Sequence, residues 1–137
     1  MKIIVYFVVF ICVSLVAWAA YVRLGATDGP KWHAEIVAQS DADMIGGAVR
    51  VIRADPEVMA AADAYMQALP RTEVVAGSIA SGRITYVTRS ATIGFPDYTT
   101  LQYADGILKM HARLRFGRSD FGVNRKRLEG VLRAVQG

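Results

Sequence analysis

Residues Ile3 to Val22 (IIVYFVVFICVSLVAWAAYV) form an unbroken apolar run without a single charged side chain. Wound as a helix rising about 1.5 Å per residue, the run reaches roughly 30 Å, the thickness of a bilayer's hydrocarbon core. Two fates are open to it: cleavage as a secretory signal, or retention as an anchor. Ala17-Trp18-Ala19 has the small-x-small form of a cleavage site. The apolar run continues beyond it, however, and is longer than a signal core of roughly 7–15 residues. Tyr6, Trp18 and Tyr21 stand toward the two ends, where amphipathic rings favour the water–lipid boundary. A retained single-pass anchor over residues 1–24 is the expectation. Lys2 precedes the run and Arg23 and Lys31 follow it, so the flanking charge is nearly balanced. The very short leading tail resembles that of a signal-anchor, which puts the domain on the outer face, the periplasm in a bacterium.

Cys12 is the only cysteine and lies inside the run. No disulfide can form in residues 25–137, and bulky Ile11 before Cys12 argues against lipid attachment there. The formal net charge is +4, unevenly placed. Asp28 to Glu73 holds eight acids against four bases; Lys109 to Arg133 holds eight bases against Asp120 and Glu129. The basic end suggests an anionic neighbour, either phospholipid headgroups or an acidic protein surface. Nucleic acid is not expected outside a membrane.

Residues 25–52 read as a connector, with Gly29-Pro30, few long apolar side chains and Gly46-Gly47. Trp32 in it suits packing against either the bilayer or the domain. Residues 53–137 read as one domain. Asp55-Pro56-Glu57 is a helix start: Asp55 to cap amides, Pro56 with φ preset, Glu57 at the positive helix end. Val58, Met59, Ala62, Tyr65, Met66 and Leu69 follow at helical spacing, and Pro70 ends the helix. Strands are expected over Thr72–Ala76, Arg83–Arg89 and about Tyr98–Tyr103, then Asp105-Gly106 as a hairpin turn. A fourth strand alternates cleanly. Leu108, Met110, Ala112, Leu114 and Phe116 point one way; Lys109, His111, Arg113 and Arg115 point the other, onto what reads as a wet basic face. A last helix runs from about Gly122 to Gln136. The expected fold is α+β in two layers: an apolar anchor helix, then helix, four-stranded antiparallel sheet, helix.

Four segments in order carry a resemblance: Leu69-Pro70-Arg71-Thr72, Tyr86-Val87-Thr88-Arg89-Ser90, Gly94-Phe95-Pro96-Asp97, and Arg118-Ser119-Asp120-Phe121-Gly122-Val123-Asn124-Arg125-Lys126-Arg127. The set resembles the domain-of-unknown-function 1499 family over roughly residues 55 to 135, the last block being the specific one. The resemblance implies a small bacterial or plastid domain, exported or tethered. It implies no reaction. Some relatives carry a lipid-attachment cysteine, and this chain has the apolar run instead.

The Arg118–Arg125 block is the first candidate site. As a strand-to-helix corner it explains itself: Asp120 accepts amide hydrogens, Gly122 permits the tight path and Asn124 ties the loop to the sheet. The alternative is that the helix start, with Arg118, Ser119, Asp120, Asn124 and Arg125, grips an anion. Arg89, Asp97, Arg113 and Arg115 form a second group near one sheet end, with an Arg89–Asp97 ion pair expected to hold the Gly94-Phe95-Pro96 turn. Lys109 and His111 complete the basic face, where flanking positive charge disfavours a protonated imidazole. His33 has no metal-ligand partners at the right spacing, so no metal or other cofactor is expected. No nucleophile elbow, phosphate loop or dinucleotide fingerprint appears.

The leading functional expectation is a non-catalytic interaction domain on the bacterial inner membrane, possessing lipid as one partner and other membrane proteins as the rest, as an accessory or assembly subunit of a larger complex. A binding module for anionic lipid headgroups or a small anion is the alternative, and an unrecognised enzyme the third reading.

Overall fold

The computed structural model describes residues 1–137. The apolar run lies within one helix, α1 (Lys2–Leu24), long and apolar enough to cross a membrane. A single helical turn, α2 (Gly29–Trp32), follows, with Asp28 at its start accepting from the Lys31 amide. Then come β1 (Ala42–Met44), β2 (Gly47–Arg53), α3 (Val58–Ala68), β3 (Thr72–Ser78), β4 (Arg83–Arg89), β5 (Pro96–Ala104), β6 (Ile107–Leu114) and α4 (Val123–Gln136). The sheet is antiparallel throughout, in the order β1-β2-β6-β5-β4-β3.

The sheet therefore has six strands, and the expectation of four is corrected. Both additional strands come from the stretch read as connector. The chain leaves β2, crosses one face as α3 and re-enters at the opposite edge as β3. It then meanders back through β4 and β5 until β6 pairs with β2. The Asp105-Gly106 turn closes the β5–β6 hairpin with both residues at positive φ, 51° and 75°, as a type I′ turn requires. At the start of α3, Asp55 acts through its backbone carbonyl, which accepts from the Val58 amide at 3.1 Å; its side chain makes no cap.

α3 and α4 cover one face of the sheet. Met59, Ala62 and Met66 of α3 and Leu128 and Val131 of α4 meet Ile84, Tyr86, Leu101, Leu108, Met110 and Ala112, all at most 2% exposed. The alternation in β6 delivers this: its even-numbered apolar side chains enter the core. Tyr86 brings a hydroxyl into that layer and donates it to Asp63 Oδ1 at 2.6 Å, which satisfies the buried group.

The other face is covered too. Residues 26–36, with the α2 turn in their middle, lie across it as a strap. The Trp32 ring stacks on Tyr98 at 4.2 Å, 14° from parallel. His33 Nδ1 is 2.9 Å from Thr85 Oγ1, which in turn pairs with Thr100 Oγ1. The Ile36 amide donates to Gln102 Oε1 at 2.9 Å, and Ile36 itself is buried. With only the one turn of α2 in it, the strap leaves most of its carbonyls without a partner of its own. Side chains that only donate do so here. Lys109 Nζ reaches Ile36 O at 3.3 Å, Arg113 reaches Trp32 O, and Arg115 reaches Ala26 O at 3.2 Å. The expected wet basic face of β6 is thus corrected: it is the seat of the strap.

Candidate functional site

α1 is joined to the domain by its final turns. Val22 is 1% exposed, whereas Ile3 through Phe10 stand at least half open. Arg89 Nη1 donates to Val22 O at 3.3 Å and to Gly94 O at 3.1 Å. Arg23 Nη2 donates to Thr92 O at 3.0 Å. Trp18 meets Phe95 edge to face at 5.5 Å and Tyr21 meets Phe116 at 6.2 Å. The β4–β5 loop and the end of β6 are held against the last two turns of the apolar helix.

This junction encloses a cleft of about 780 Å³. Its apolar walls are Trp18, Phe95, Phe116 and Phe121, and Arg71 and Arg89 stand among them. A groove of about 290 Å³ adjoins it, sharing Arg71, Arg89 and Ser90 and adding Arg23 and Glu73. Arg71 and Phe121 both adopt left-handed backbone, φ 55° and 51°, a conformation that is sparsely populated without glycine and tends to cluster at binding sites. The third non-glycine residue of this kind, Asp105, is explained by its hairpin turn.

The cleft is also lined by Asp97, Asp120 and Arg127, which form a polar cluster with the buried Asn124. Asp97 lies 3.6 Å from Arg127 and accepts from Asn124 Nδ2 at 3.3 Å; Asn124 is fully buried and its Oδ1 accepts from Arg127. Burial raises the Asp97 carboxyl above its usual range, while Arg127 and Asn124 oppose the shift. Burial likewise lowers Arg127, with Asp97 opposing. Asp120 accepts from the Gly122 amide at 2.9 Å and the Asn124 amide at 3.1 Å, capping α4 as its spacing suggested. Both carboxylates of the site are therefore committed to holding the corner together. The expected Arg89–Asp97 ion pair does not form. Asp97 faces α4 and takes Arg127, while Arg89 faces the end of α1.

The ten candidate residues separate into three groups. Arg89, Ser119 and Asp120 line the cleft. Lys109, His111, Arg113 and Arg115 lie on the strap side, away from it. Burial first, then Arg113, lowers His111 to about 4; Arg113, donating to Trp32 O, Thr100 Oγ1 and His111 O, is lowered by burial to about 10. In the α4 corner, Arg118 is exposed, Asn124 is buried, and Arg125 pairs loosely with Asp43 and Glu129 at 3.8 and 3.7 Å. Arg23, Arg71, Trp18, Phe95 and Phe116 were not among the candidates. Their only signals were the Leu69-Pro70-Arg71-Thr72 and Gly94-Phe95-Pro96-Asp97 segments and the aromatic residues at the end of the apolar run. No group of three His, Cys, Asp or Glu side chains is placed to hold a metal.

An apolar helix feeding directly into a strapped, six-stranded α+β domain, with an arginine-lined aromatic cleft at the junction, defines the class of the protein. The chain matches the model of the family described as protein of unknown function (DUF1499) over residues 30–135, and it belongs to that family. The match begins within the strap, ahead of residue 55, where the resemblance carried by the four segments starts. No curated protein matches the chain.

Proposed function

We propose that the chain is a single-span protein of the bacterial inner membrane, with a non-catalytic binding module held on the periplasmic side. Its working surface is the cleft end of the sheet. One observation carries this reading: the last turns of α1 belong to the fold of the domain, and Trp18 forms a wall of the cleft. Trp18 lies one helical turn before Val22, about 6 Å along the axis. With Ile3–Val22 spanning the hydrocarbon, the cleft opens at the boundary between acyl chains and headgroups, Trp18 on the acyl side and Arg23 on the headgroup side. A non-catalytic role is supported by the commitments of the titratable groups. His33 is engaged with Thr85, His111 lies on the strap side, and Asp97 and Asp120 are held by structural partners.

A second reading, accessory or assembly subunit of a larger inner-membrane complex, is favoured by the outer rim of the cleft. Ile45 and Phe121 are 75% and 91% exposed, joined where the Asp120 amide donates to Ile45 O. Such an apolar knuckle suits a protein partner or lipid. Alkaline carbonate extraction tests the anchor shared by both readings. Full-length chain in the pellet is expected; a shortened chain beginning near Ala20 in the supernatant contradicts it. Affinity capture in mild detergent then separates them, stoichiometric membrane partners favouring the subunit.

A further inference from the structure

Three guanidinium groups meet at one shoulder of the cleft with donors to spare. Arg71 Nε donates to Arg89 O at 2.9 Å, and its two Nη nitrogens have no acceptor in the protein. Arg89 uses Nη1 alone, on Val22 O and Gly94 O. Arg23 uses Nη2 alone, on Thr92 O. None of the chain's four ion pairs includes any of the three. Glu73 lines the same groove without approaching any of them within ion-pair distance. Arg23 lies directly over Gly94, where a Cβ would stand 2.9 Å from its Nε; the missing side chain lets the guanidinium lie against the loop.

Clustered arginines repel one another, and a cluster left with free planar forks suits a bidentate oxyanion such as phosphate. Immediately beside this cationic groove is the aromatic cleft of Trp18, Phe95 and Phe116. A ligand that fills both has an anionic head and an apolar tail. Arg23 follows the apolar run by one residue, so the arginines lie at the level where a bilayer presents such heads. We propose that the cleft and groove hold one acidic phospholipid of the surrounding bilayer. Its phosphate sits among Arg23, Arg71 and Arg89, and the upper part of one acyl chain lies along Trp18, Phe95 and Phe116. The inference rests on the reading of α1 as a bilayer span. The left-handed backbone at Arg71 places this side chain at the mouth of both cavities, so its strain has a use.

Native mass spectrometry of the full chain in a neutral detergent tests the proposal directly. The probes are phosphatidylglycerol and phosphatidylcholine with identical acyl chains, and water-soluble glycerol 3-phosphate. One phosphatidylglycerol is expected per chain, at five-fold or greater occupancy over phosphatidylcholine, with no retention of glycerol 3-phosphate. Arg71→Gln and Arg23→Gln are each expected to lower phosphatidylglycerol occupancy at least three-fold. Lys126→Gln, an exposed charge on α4, is expected to leave it unchanged. Trp18→Ala is expected to weaken both lipids. Thermal unfolding of each variant checks that the fold persists, and Arg23→Gln decides the matter should Arg71→Gln unfold. Equal occupancy of the two lipids, or an equal loss from Lys126→Gln and Arg23→Gln, overturns the proposal. Carbonate retention with no lipid preference refutes this site and leaves the anchor standing; carbonate release refutes the anchor itself.

Discussion

Arg89 Nη1 donates to the main-chain carbonyl of Val22 across 67 residues of sequence, at 3.3 Å. The final carbonyls of a helix lack intrahelical partners and carry its negative dipole end. A cation from the end of β4 satisfies one of them, so the sheet and the apolar helix are coupled by a charge-assisted bond. Arg23, donating in the reverse direction to Thr92 O, doubles the link.

Arg89→Ala is expected to loosen this joint. It removes two bonds to carbonyls, at a cost of about 1–2 kcal/mol. Paired nitroxides at Val9 and Gln136, in a Cys12→Ala background, read the geometry. A single narrow distance distribution is expected in the parent chain and a broadened one in the variant. Equal widths would mean that the bond does not govern the joint.

Removing the strap's anchor tests whether residues 26–36 belong to the folded unit. Trp32→Ala loses the stack on Tyr98 and uncovers the layer of Thr85 and Thr100, and is expected to cost about 2 kcal/mol in chemical unfolding. Trp32→Phe is expected to restore most of it. Faster amide exchange in β5 and β6 should accompany the loss.

Acid should destabilise the domain through its histidines. Burial holds His111 near 4 and lowers His33 below its usual 6.5, with Arg113 and Arg83 adding to the respective effects. The unfolded chain therefore binds protons that the folded chain refuses, and stability falls as pH drops from about 6.5 toward 4. After allowance for solvent screening, His111 contributes roughly 2 kcal/mol to that fall. His111→Gln is expected to flatten the slope of unfolding free energy against pH in this window. An unchanged slope would contradict the burial of the ring.

Phe121 holds left-handed backbone while 91% exposed, so its side chain contributes little to the core. Phe121→Gly relieves a strain of about 1 kcal/mol, offset in part by the greater freedom of glycine when unfolded. Stability equal to the parent chain or up to about 1 kcal/mol higher is expected. A nitroxide at Ser119 should move toward water in the same variant. A marked loss of stability would show that Phe121 has a structural task.

The meander β3–β6, both long domain helices and the β5–β6 turn were legible because local signals agree there: Pro70 and Asp105-Gly106 punctuate, and β6 alternates. β1 and β2 were hidden by Gly46-Gly47, which reads as a linker, and because Gly47, Ala48 and Val49 are buried together, which erases the period of two. The strap was illegible for a different reason. Lys109, Arg113 and Arg115 at alternate positions look the same whether they donate to water or to another stretch of backbone. The Asp120 cap was visible as local chemistry. The cleft was not, since Trp18, Arg71, Phe95 and Phe121 converge only through the crossover of α3 and the docking of α1.

The central claim is that the cleft end of the domain rests on the bilayer, and depth measurement tests it most directly. Ser119 lines the cleft, while Gln136 lies at the opposite end of the sheet beside Arg53 and Asp55. Nitroxides placed singly at these positions in phosphatidylcholine nanodiscs report relative accessibility to oxygen and to a water-soluble nickel complex. The account predicts an interfacial, oxygen-favoured value at Ser119 and a fully aqueous one at Gln136. Equally aqueous values at both would contradict it.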